Sequence, residues 1–120
     1  MRLTKITIIF SLAFVLASGF MWGNIANSED KIELTQGQIN LLSKLQNQQL
    51  ISIEPKLNRA YIDPGLWRSM KYKLKEDFAA TLAIYCGNKK GTYLYWVEIY
   101  DQYSGKKLAK YSRNWGFKVY

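Results

Sequence analysis

Few residues in this 120-residue chain are capable of chemistry, and histidine is not among them. Without imidazole there is no Ser-His-Asp or Cys-His nucleophilic machinery, and the side chain that ordinarily shuttles protons near neutral pH is missing. Cys86 is the single cysteine. One thiol and no histidine leave zinc without a ligand set, and no carboxylate run has the spacing of a calcium loop.

Glu76 with Asp77 and Glu98 with Asp101 are the only acidic pairs available to a two-carboxylate mechanism. Neighbours on a helix project about 100° apart, and Glu98 and Asp101 fall on opposite faces of a strand. Both pairs therefore read as solvated ion-pair residues. Cys86 is followed by Lys89 and Lys90, but it is expected near a helix C-terminus, where the macrodipole disfavours a thiolate. It reads as a small buried hydrophobe. Ser104-Gly105-Lys106-Lys107 has the end of a phosphate-loop pattern without its beginning, since Tyr100 stands where the first glycine belongs. It reads as a turn. No catalytic residue, metal or cofactor is expected.

What remains is a mixture of cations and rings. Lys71, Lys73, Lys75, Lys89 and Lys90, with Lys106, Lys107 and Lys110, flank aromatic segments. Basic and aromatic side chains interleaved across a sheet can form a groove for an anionic polymer, a glycan or a partner protein. The bland alternative puts the aromatics inside and the lysines in solvent.

The elements that would position these residues are legible in part. Thr35-Gln36-Gly37-Gln38 matches a capping box, and Ile39, Leu42 and Leu45 follow at helical spacing, which predicts an amphipathic helix from about Gln36 to Gln48. Leu50 to Ile53 reads as a short strand cut by Pro55, and Leu57 to Ile62 as a second extended piece with Ala60 and Ile62 on one face and Tyr61 on the other. Asp63-Pro64 then opens a long helix, whose stripe of Trp67, Met70, Leu74, Phe78, Thr81, Leu82 and Tyr85 predicts a single element up to a left-handed cap at Gly87. Asn88 to Gly91 reads as the loop that follows.

The remainder reads as a three-stranded antiparallel meander. Tyr93, Tyr95, Val97 and Ile99 alternate with Leu94, Trp96, Glu98 and Tyr100; Gln102-Tyr103-Ser104-Gly105 supplies the turn; Lys106 to Ser112 returns; and Trp115, Phe117 and Val119 alternate in an edge strand. The fold class is α+β. Val97 and Ile99 mark the side that packs on the long helix, so Trp96 and Tyr100 are expected on the other. Together with Lys106, Lys107 and Lys110 they form the candidate partner-binding site.

The first 28 residues give a location. Arg2 and Lys5 precede a run from Ile6 to Trp22 that carries no charge, and Glu29 and Asp30 follow it. Such a segment is membrane-directed, and the positive-inside rule keeps its start cytoplasmic and exports the rest. It is read as a signal peptide cut after Ala26-Asn27-Ser28, or as an uncleaved single-pass anchor; its length borders on both. Residues 29–34 read as a linker and residues 35–120 as one small domain.

Without Arg2 and Lys5, 15 of the 17 basic residues face 9 acidic ones, a net charge of +6. The sequence thus describes a small exported protein of bacterial type, periplasmic or secreted. Its expected role is non-catalytic binding or inhibition of a protein or an anionic envelope component. A membrane-anchored accessory of an envelope assembly, held by residues 6–22, is the alternative. Nucleic acid is a poor fit to that location, and oligomeric state is open.

Overall fold

A computed structural model describes residues 31–120. The expectations for residues 1–28, and for positions 29 and 30 of the linker, lie outside the described residues.

The first helix, α1 (Gln36–Asn47), starts where its cap dictates. The Gln38 amide donates to Thr35 Oγ1 at 3.2 Å and the Thr35 amide donates to Gln38 Oε1 at 2.9 Å, so both halves of the capping box form. Leu42 and Leu45 are buried beneath it. Two short strands follow, β1 (Ile51–Glu54) and β2 (Arg59–Ile62), joined by a 3-10 turn at Pro55–Leu57 and paired antiparallel with Ile51 opposite Ile62. Asn58 closes that turn in the left-handed conformation, at φ 52°.

The expected long helix is two helices. Asp63 caps α2 (Pro64–Ser69), its Oδ2 accepting from the Leu66 amide at 3.0 Å. The chain then breaks at Met70, which is extended with ψ 137°, before α3 (Tyr72–Lys90) begins. Ser69 Oγ donates to the Leu66 carbonyl at 2.7 Å, a local bond that competes with helix continuation. The hydrophobic stripe runs across the break, because Trp67, Met70 and Phe78 are all buried. Periodicity alone therefore gave no warning of it.

The end of α3 also differs from expectation. Gly87 lies inside the helix, and the left-handed cap is Gly91 at φ 69°. Gly87 serves close packing instead: a Cβ there would stand 2.5 Å from Tyr95 Cδ1. Residues 77–84 of α3 are buried without interruption, so this helix is enclosed on all sides.

The sheet has five strands in the order β1-β2-β3-β4-β5, with β3 (Trp96–Asp101), β4 (Lys107–Ser112) and β5 (Gly116–Val119) forming the expected meander. The meander does not stand alone. β2 pairs parallel with β3, Ala60 opposite Ile99, which is sterically possible because α2 and α3 make the crossover. The result is a mixed sheet in an α+β fold. Ile51, Ala60, Ile62, Val97, Ile99, Ala109 and Tyr111 are buried in one core with residues of all three helices. The alternate positions along the strands are left half-buried or exposed.

Candidate functional site

Strand β3 is the middle strand and presents Trp96, Glu98 and Tyr100 on the uncovered face. Register supplies their neighbours: Arg59 lies opposite Glu98 and Tyr61 opposite Tyr100 on one side, Lys110 opposite Glu98 and Lys107 opposite Tyr100 on the other. Glu98 is the hub. Its Oε2 accepts from Lys107 Nζ at 2.9 Å, its Oε1 accepts from the Tyr100 hydroxyl at 3.1 Å, and Arg59 Nε stands 3.9 Å away. The Lys107 hydrogen bond, joined by the Tyr100 hydroxyl and the two cationic charges, holds the Glu98 carboxyl below the usual carboxylate range. Burial and the hydrogen bond to Glu98 push the Tyr100 phenol up.

Rings and cations alternate outward from this hub. Tyr61 and Tyr100 have ring centroids 5.8 Å apart, and the Arg59 guanidinium lies 5.5 Å from the Tyr100 centroid. Across the face, Lys107 and Lys118 lie 5.2 and 4.9 Å from the Tyr120 ring. Lys110 and Lys118 are directly opposite each other on β4 and β5. Like charges in that position are destabilising to a sheet.

The expected site residues are thus brought together with one exception. Trp96 is 39% exposed, Tyr100 is half-buried in the ring cluster, Lys107 pairs with Glu98, and Lys110 is exposed beside it. In a regular strand, residues 107 and 110 would face opposite sides. A bulge inserts Leu108 where the register shifts from Ile99 opposite Ala109 to Tyr100 opposite Lys107, so both lysines reach the same face. Lys106 sits in the turn before β4, its amide donating to Ser104 Oγ at 3.2 Å. That turn forms as read, with Gly105 at φ 74° and Asp101 Oδ1 accepting from the Tyr103 and Ser104 amides.

At the Trp96 end of the face lies an open groove of about 900 Å³, walled by Leu94, Trp96, Lys110, Asn114 and Trp115. Leu94 is 65% exposed and Trp115 87%. Trp115, read as part of the edge strand, stands instead in the turn before β5, where alternation no longer governs it. Tyr93, expected inside, precedes β3 and is exposed.

Sequence reasoning missed Arg59 and Tyr61 as members of the face. The alternation of β2 placed Tyr61 opposite Ala60 and Ile62, but nothing local showed β2 to be the neighbour of β3. The other titratable groups read as follows. Cys86 is fully buried, and burial pushes its thiol up to about 11. Lys73 stands 4.0 Å from Glu76 and 3.2 Å from Asp77. Asp77 keeps the expected ion pair but is a correction to the solvated reading, because it is buried.

Among the described residues, no group of three His, Cys, Asp or Glu side chains could hold a metal ion, and no helix is long and apolar enough to cross a membrane. Comparison with protein-family models, curated proteins and solved structures finds no match. The face must be judged on its own chemistry. Glu98 accepts hydrogen bonds from Lys107 and Tyr100 with the Arg59 charge close by, which favours its ionised form, and the rings and surrounding cations suit an anionic surface.

Proposed function

We propose that this chain is an exported, non-catalytic binding module whose uncovered sheet face takes an anionic partner. One observation carries the reading: the helices cover one side of the sheet, and the other side gathers Tyr61, Trp96 and Tyr100 with Arg59, Lys107, Lys110 and Lys118 around the Glu98 carboxylate, with Glu54 at the β1 edge opposite Arg59. The opposed Lys110 and Lys118 cost the sheet stability, a cost that an anion bound between them would reverse.

A sulfated polysaccharide such as heparin is a suitable polyanion probe. The full chain should be retained on it in a salt-dependent way, and Lys110→Glu with Lys118→Glu should elute at much lower salt than Lys44→Glu with Lys71→Glu on the helical side. Trp96→Ala should weaken binding by about 2 kcal/mol at unchanged stability. Equal elution of the face and control variants would overturn the reading.

A further inference from the structure

The groove at the Trp96 end has an unusual composition for a solvent-facing surface. Tyr93, Leu94, Trp96 and Trp115 are all exposed and share its wall, with Lys110 and Arg113 beside them. Tryptophan and tyrosine next to basic residues are the side chains that settle at the boundary between lipid headgroups and acyl chains, where a ring takes the apolar side and a cation reaches the headgroup.

The same end receives the N-terminal segment. The Ile32 amide donates to the Tyr95 hydroxyl at 2.8 Å, and that hydroxyl donates to the Ile32 carbonyl at 3.1 Å. The described chain therefore enters the domain at the same end of β3 as the groove, on the helix side of the sheet. Only nine residues, positions 23–31, separate that entry from the charge-free run ending at Trp22. Fully extended, nine residues span at most about 32 Å. A bilayer holding residues 6–22 would lie within that reach of Ile32, which allows the groove end of β3 to face it.

We infer that the groove end of the domain, through Leu94, Trp96 and Trp115, docks on the headgroup layer of an anionic bilayer, with Lys110 meeting the anionic headgroups. This rests on the binding face proposed above and names its partner. Leu94 and Trp115 supply the apolar anchors. The net positive charge of the chain supplies the attraction to anionic lipid.

The test uses the full chain reconstituted in vesicles of phosphatidylcholine with phosphatidylglycerol, spin-labelled on cysteines introduced by Asn114→Cys or Ser104→Cys; Cys86, fully buried, is left in place. Both labelled positions are exposed. The label at 114 should relax with oxygen as a lipid-immersed probe does, and the label at 104 with an aqueous nickel complex. Leu94→Asp with Trp115→Ser should return the 114 label to water while circular dichroism stays unchanged, since neither side chain is buried. Vesicles of phosphatidylcholine alone should give shallower immersion. A 114 label as aqueous as the 104 label overturns the docking, and if heparin retention still depends on Lys110 and Lys118, the face itself stands. Loss of both overturns the face as well. Equal immersion in neutral and anionic vesicles overturns the role given to the negative charge of the lipid.

Discussion

Glu98 shows how one side chain organises the surface around it. Its carboxylate is only partly exposed and is shared by Lys107, Tyr100 and Arg59, yet its value to stability is modest, about 1 kcal/mol or less for a pair open to solvent on one side. Its folded-state pKa is depressed, so the contribution is complete above the unfolded glutamate value of about 4.3 and is lost as pH falls through the lower folded value. Glu98→Gln should therefore flatten the acid limb of a thermal-midpoint profile below pH ~4.3 while leaving the neutral fold intact. An acid limb as steep as in the parent protein would show that other carboxylates control it. The sequence marked Glu98 as one of four acidic residues after Pro64, and only the parallel strand beside it revealed Arg59.

Among the elements, α3 is the one whose packing is tightest and whose end was misread. Gly87 looked like a cap because glycine following a hydrophobic stripe is the usual sign of one. Its role is steric, since Tyr95 Cδ1 and the Thr92 carbonyl leave no room for a methyl group. Gly87→Ala gains up to about 1 kcal/mol of helix propensity and incurs about 1–3 kcal/mol of overpacking. The Tyr95 ring cannot swing aside cheaply, because its hydroxyl is bonded to both polar groups of Ile32. Overpacking should win, lowering the urea midpoint; a raised midpoint would mean that the ring moves freely. The break at Met70 belongs to the same scale. The helix stops there although its hydrophobic pattern continues, and Ser69 Oγ bonds the Leu66 carbonyl at the break.

In the molecule as a whole, the segment before α1 acts as a strap. Asn88 Nδ2 donates to the Ile32 carbonyl at 2.7 Å, its Oδ1 accepts from the Leu34 amide at 3.2 Å, and Leu34 is buried in the core. Together with Tyr95, this ties positions 32 and 34 to the end of α3 and the start of β3. Asn88→Ala combined with Tyr95→Phe removes these bonds. At about 0.5–1.5 kcal/mol for each lost bond net of solvent, the variant should lose a few kcal/mol, and the Ile32 and Leu34 amides should exchange faster than those of the sheet. Unchanged protection at both amides would show that packing of Leu34 alone holds the strap. This attachment brings residues 32–34 to the same end of β3 as the groove.

Interactions within a few residues were readable from the order of the amino acids. The Thr35 capping box, the Asp63-Pro64 start, the Gly105 turn and the alternation that put Val97 and Ile99 inside and Trp96 outside all depend on chemistry between near neighbours. The lack of histidine removed whole reaction classes before any fold was known. Tertiary structure alone decided that β2 lies parallel to β3, that a bulge at Leu108 turns Lys107 and Lys110 to one face, and that Trp115 stands in solvent. Each of these depends on which distant segments meet, and in what register. That choice is made by burial of the whole core around α3, to which every local pattern contributes and which none of them specifies.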